Sequence, residues 1–192
     1  MLDKKDLTKI KNSIDKYDKQ RELVTAKSRE IVRMSKKVIY DIHRDNLISA
    51  KKSIDAMNKE LKKLKILANA PKLVYVGSYK VAIQEYVEAV CFFEYVKNKK
   101  IPTNTKLKLE PDHYLLGLID LTGELVRKAI NEAIKENYTI AIDIKLFVTE
   151  LYGELMQFDF ANGELRKKFD SIKYDLKKLE DLVLNLKMSN KI

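Results

Sequence analysis

The sequence predicts an all-α protein, a single-domain bundle of about six to seven helices over residues 1–192. Three observations carry that expectation. Breakers are scarce, with 5 Gly and 3 Pro in 192 residues, so little interrupts long helices. The polar residues are Lys-rich and the apolar ones Leu- and Ile-rich, as in helical bundles. Apolar residues recur at three- and four-residue spacing through most of the chain.

The first helix is expected over about residues 3–44. Leu7, Ile10, Ile14, Tyr17, Arg21 and Val24 keep helical spacing, and Ile31, Met34, Val38 and Ile42 continue it. Its length of ~60 Å, at 1.5 Å per residue, suits a bundle spine or an oligomer contact. Arg21, Arg29, Arg33, Lys36, Lys37 and Arg44 project from its second half. Asp45-Asn46 is the expected stop and restart, with Asn46 as N-cap. A second helix, about 47–70, carries Ile48, Met57, Leu61, Leu64 and Leu67 and ends before Pro71, because the residue preceding proline disfavours helix. The third, about 72–98 with Gly77 near its start, is apolar nearly all round from Val81 to Val96, the pattern of a buried helix. Pro102, Pro111 and the lack of a helical period make 99–111 a loop, with room for a short extended piece. Asp112 is placed to cap the fourth helix, about 112–136. Gly117 and Gly123 inside it each cost ~1 kcal/mol against alanine, so close packing or a site near the backbone is expected there. A fifth helix, about 139–158, and a last one, about 163–188, follow on either side of the Asn162-Gly163 turn.

Cys91 is the only cysteine, which rules out an internal disulfide and makes a reducing, cytoplasmic setting the expectation. The opening MLDKKDLTKIKNS is too charged for a signal peptide. No apolar run approaches the ~18–20 residues of a membrane span. The net charge of +10 is uneven: residues 1–70 hold 19 Lys and Arg against 10 Asp and Glu, residues 71–140 hold 10 against 9, and residues 141–192 hold 9 against 9. A basic first third fits a polyanion partner, and it fits a solvated Lys-rich surface equally simply. No phosphate-binding glycine loop, zinc spacing or serine nucleophile motif is present.

Two stretches, QEYVEA at 84–89 and DLTGE at 120–124, each set two carboxylates on one helix face, since residues three or four apart are neighbours there. Glu85, Glu88, Asp120 and Glu124 lie among apolar residues, where an uncompensated carboxylate is costly. If the third and fourth helices pack, most simply as antiparallel neighbours, the four acids can meet. A divalent cation would then relieve their repulsion, and all-oxygen ligation favours Mg²⁺ or Mn²⁺. Spacing alone leaves ordinary ion pairs open, with Arg127 and Lys128 as partners. His43 and His113 lack metal-ligand spacing and are expected at the surface or at caps; Cys91 is expected in the core. Tyr75 and Tyr79 with Lys72 and Lys80 suit stacking and phosphate contact with a single strand, or helix-end packing.

Beyond these local signals, the segments KQRELVTAKSREIVRMSKKVIYDIHR, QEYVEAVCF, DHYLLGLIDLTGELVR and LRKKFDSIKYDLKKLEDLVLNLK together resemble the translin family. The middle two are closest to translin-associated factor X, the last to translin itself. The resemblance implies a seven-helix fold, hollow octamers that bind single-stranded RNA or DNA, and a metal-dependent endoribonuclease. Its E-Y-V-E and D-L-T-G-E acids match Glu85, Glu88, Asp120 and Glu124 one to one, as catalytic residues and Mg²⁺ ligands. Lys80 falls at a basic family position, whereas Ser78 replaces a histidine, and the 99–111 loop is shorter than in factor X. A homo-oligomer follows as the expected assembly. Arg21, Arg29, Arg33 and Lys37, with Lys80, are the candidates for holding the nucleic-acid backbone.

Overall fold

Asp3 sets the start of the first helix: its carboxylate accepts from the backbone N–H groups of Lys5 and Asp6, two of the donors every helix start leaves unpaired. The helix it caps, α1, then runs unbroken over Lys4–His43. The computed structural model describes residues 2–70 and 72–192, and among these it holds seven α-helices and no strand. Asp45 takes a left-handed conformation at φ 59°, and Asn46 accepts from the Ser49 N–H to start α2, Leu47–Leu67. The Asn46 cap is the expected one. The expected stop at Pro71 lies outside the described residues.

Four expectations need correction. The third helix, α3, begins at Gly77 and runs Gly77–Asn98, because residues 72–76 form turns and Val76 is extended. The 99–111 loop holds a one-turn helix instead of an extended piece: α4, Asn104–Leu107, capped by the Thr103 hydroxyl. Asp112 is not the cap of α5, Pro111–Ile134. Glu110 is the N-cap residue and Pro111 occupies the first turn, where its missing N–H costs nothing. Asp112 is a first-turn acid instead. Finally, Val81, the first residue of the run expected to be buried, is exposed. The helices α6, Tyr138–Leu155, and α7, Glu164–Met188, lie close to their expected spans.

The core joins Ile31, Val38 and Ile42 of α1, Met57 and Leu64 of α2, Val87, Phe92 and Phe93 of α3, Leu121 and Leu125 of α5, Ile144 and Val148 of α6, and Ile172 of α7. Cys91 is buried in it, as expected.

Direction along the bundle follows from the cross-helix contacts. Lys27 meets Glu60, Ser35 meets Met57 and Asp41 meets Ser49, so α2 runs back along α1. Thr25 meets Ser78 and His43 meets Phe92, so α3 runs with α1. Tyr79 meets His113 and Gly117 rests on Gln84 and Val87, so α5 runs with α3. The antiparallel α3–α5 pairing expected from the sequence is therefore wrong. The connection over residues 99–110 returns the chain to the starting end. Extended, it can reach ~40 Å, enough to retrace the ~33 Å of a 22-residue helix. Lys65 of α2 donates to the carbonyl of Lys108 and the Tyr114 hydroxyl to that of Pro102, pinning this return.

A candidate metal site between α3 and α5

Parallel packing puts the two acid pairs at the same level. Gly117, one helical turn before Asp120, lets the backbones come close. A Cβ there would stand 2.5 Å from the Gln84 carbonyl oxygen and 2.6 Å from Val87 Cβ. Gly123 carries no such constraint, since its nearest neighbour would be Asp175 at 3.9 Å.

Glu85 and Glu88 are half-buried on α3. Burial pushes the Glu88 carboxyl up to about 8, and Asp120, Glu85 and Glu124 push the same way. Burial also raises Glu85; Lys36 of α1 pulls it down, while Asp120 and Glu124 raise it. All four predicted acids thus share one electrostatic field, in a setting where placing a negative charge is costly.

The two α5 acids are tethered from outside the pair of helices. Lys168 of α7 donates to both oxygens of Asp120, at 2.7 and 2.5 Å. His43, the last residue of α1, places Nε2 2.5 Å from Glu124 Oε2. Arg127, expected as an ion-pair partner of Glu124, comes only to 3.8 Å, and Lys128 pairs with Asp45 and Glu132 instead. Among the described residues no three His, Cys, Asp or Glu side chains stand together as a ready ligand group. Asp120 and Glu124 are near enough to raise the carboxyls of Glu85 and Glu88, but the four acids are not drawn together around a point. Two of them are turned toward protein donors, Asp120 to Lys168 and Glu124 to His43. The donor set is all oxygen and over-rich in negative charge, which fits a hard divalent cation.

His43 corrects the sequence expectation of a surface or capping histidine. Its side chain is only 5 % exposed and its ring lies 5.0 Å from that of Phe92. His113 is buried too, edge-on to Tyr79. Neither His43 nor Lys168 was legible as a site residue: no spacing links them to the acids, and Lys168 sits in an Arg-Lys-Lys run that looks like a solvated face.

Arg21, Arg29, Arg33 and Lys37 are exposed and, spaced by multiples of four, follow one another along one stripe of α1. Arg21 and Arg29 line a groove of about 590 Å³ with Thr25 of α1 and Val76 and Ser78 at the start of α3. Arg33 and Lys37 line another, of about 530 Å³, further along α1, with Ser49, Lys52 and Ser53 of α2. Lys80 is engaged with Glu164 at 2.6 Å. Tyr75 is exposed whereas Tyr79 is buried, so the two tyrosines do not make a common stacking platform.

The bundle and its acid pair define a class: an all-helical protein with a carboxylate-rich interior beside basic grooves. The chain belongs to the translin family, whose model matches residues 19–190. It is 32% identical to an uncharacterized protein of Methanocaldococcus jannaschii over 86% of this chain and 75% of that one. It is 28% identical to translin-associated protein X of Mus musculus, over 90% of this chain and 74% of the relative. The match to human translin, 29% identical, spans 56% of this chain and about half, 54%, of the relative. Among solved structures, apo-NeC3PO superposes with a TM-score of 0.86 at 28% identity, covering 96% of this chain and 97% of that one. The AfC3PO–duplex RNA complex has the same fold, with a TM-score of 0.87 at 24% identity over 95% and 97%. Among the described residues, no helix is long and apolar enough to cross a membrane.

Proposed function

We propose that the protein is a metal-dependent endoribonuclease that binds single-stranded RNA, and single-stranded DNA as well, within a hollow homo-oligomer, an octamer, in the cytoplasm. The observation that carries this reading is the shared acidic field of Glu85, Glu88, Asp120 and Glu124, with Glu88 pushed to about 8. Kinship with translin-associated protein X and the likeness to a C3PO structure solved with RNA support it.

Glu85, Glu88, Asp120 and Glu124 would hold Mg²⁺ or Mn²⁺. Bound there, the ion supplies positive charge to the scissile phosphate and acidifies water at neutral pH. Holding a cation there would require Glu88 in its ionised form and Asp120 turned from the Lys168 ammonium that it accepts from in the free protein. Arg21, Arg29, Arg33 and Lys37, along one stripe of α1, would hold the nucleic-acid backbone. Lys80 joins them only where RNA displaces Glu164.

The test is cleavage of labelled single-stranded RNA with Mg²⁺ or with EDTA. Cutting that EDTA abolishes, leaving 5′-phosphate and 3′-hydroxyl ends, supports the reading. Products with 2′,3′-cyclic phosphate, or cutting retained by Glu124→Gln, refute it. One observation favours a second reading, a non-catalytic binding shell: Lys168 and His43 already partner two of the acids. Tight, salt-sensitive RNA binding without cleavage would select that shell.

A further inference from the structure

We infer that His43 is a positioning residue of the acid site, holding Glu124 by an Nε2–H hydrogen bond to Oε2 and leaving its other oxygen available to a cation; this rests on the reading of the four acids as metal ligands. His43 is the only side chain outside α5 hydrogen-bonded to Glu124 among the described residues. A carboxylate only accepts hydrogen bonds, so the nitrogen that meets it must carry the proton. The ring has no freedom to do otherwise. Its side chain is 5 % exposed, one side lies against Phe92, and Nδ1 is buried with no hydrogen-bond partner.

A proton on Nδ1 would therefore be stranded in apolar surroundings, and a bare Nε2 would face the carboxylate lone pairs. Both penalties vanish with the proton on Nε2. The consequence for Glu124 is directional. Oε2 is committed to His43, and the carboxylate plane is fixed from the end of α1, a helix that contributes none of the four acids. Donors behind a ligand carboxylate commonly matter 10–100-fold in metal affinity.

Two measurements test this. In the metal-free protein, ¹⁵N NMR of the histidine rings, with His43 assigned through its contacts to Phe92, should find the proton on Nε2; a bare Nε2 overturns the inference and needs no variant to fold. Mn²⁺ binding followed by electron paramagnetic resonance should weaken about 10–100-fold in His43→Phe, which keeps a ring against Phe92 but has no donor. His43→Gln, which restores an N–H, should bind within about threefold of the unaltered protein, an expectation drawn from the retained donor. Unchanged Mn²⁺ binding in His43→Phe, or equal weakening in both variants, overturns the inference. Failure of the unaltered protein to bind Mn²⁺ at all refutes the metal-site reading itself, and leaves the ring-proton result standing separately.

Discussion

Gly117 rests against Gln84: the α5 backbone passes so near α3 that a Cβ would meet the Gln84 carbonyl oxygen at 2.5 Å. Both obstructing atoms, this oxygen and Val87 Cβ, belong to or adjoin rigid helix backbone. Gly117→Ala therefore forces the two helices apart. The methyl recovers ~1 kcal/mol of helix propensity but overpacking costs ~1–3 kcal/mol, so urea unfolding should show net destabilisation. Mn²⁺ affinity should fall with it, since the same contact sets the spacing of Glu88 and Asp120.

If the four acids hold a cation as proposed, Glu88 makes that binding depend on pH. Its carboxyl is raised to about 8, so below that value the folded, metal-free protein holds a proton that a cation must expel. Apparent Mn²⁺ affinity should fall by up to about tenfold per pH unit on descending below 8 and level off above it. The stability of the metal-free protein has the opposite slope. A raised acid keeps its proton in the fold while the unfolded chain, near 4.5, loses it, so stability falls as pH rises from about 4.5 to 8. Thermal melts across this window, with and without Mn²⁺, should show that fall only in the metal-free protein.

Lys168 acts as the built-in counter-charge of Asp120. In Lys168→Met the acid loses its ammonium partner while Glu85, Glu88 and Glu124 remain near it. The metal-free protein should melt lower, by the equivalent of ~1 kcal/mol for a pair that is about one-third exposed. Mn²⁺ should bind more tightly, because a competing positive charge is gone. Calorimetric titration showing weaker binding would contradict this account.

A different cluster fixes the end of α1 to α5. Lys128 and Glu132 are each only 5 % exposed at the side chain and lie 2.9 Å apart, with Asp45 2.6 Å from the same ammonium. Lys128→Met leaves Glu132 buried with only Lys135 and Asn137 as partners, which should cost about 3 kcal/mol in urea unfolding. Hydrogen bonds from Lys128 and Lys135 hold the Asp45 carboxyl below its usual value. Burial raises Glu132, but its bonds to Lys128 and Asn137 outweigh this and leave it lowered. Lowered acids stabilise the fold above their unfolded values, and that contribution disappears as pH falls through the folded ones. The acid-unfolding midpoint should therefore move to higher pH in Lys128→Met.

Much of this architecture was legible in the sequence, because it depends on local signals. The unbroken α1, the Asn46 cap and the four acids among apolar neighbours follow from spacing and chemistry within single segments. The direction of α5 was not legible, since a connection of this length can either turn back at once or retrace α3, and only packing at Gly117 decides. His43 escaped for a related reason: its burial is created by Phe92 and Glu124, both distant in sequence. Which helices border the stripe of Arg21, Arg29, Arg33 and Lys37 depends on where α2 and α3 lie against α1, which periodicity within α1 does not reveal.

The acid site is assembled from segments made at different times: Glu85 and Glu88 come with α3, Asp120 and Glu124 with α5, and Lys168 with α7. Glu124 then finds His43 across 81 positions and Asp120 finds Lys168 across 48. Contacts this distant close late, after the loop entropy between them has been overcome. While the chain is being made, α1 to α3 can fold before any complete set of acids exists, and α7 delivers Lys168 last. A nascent or truncated chain thus carries the basic helices without a finished acid site, so the excess positive charge of the first third is in place before the acids meet.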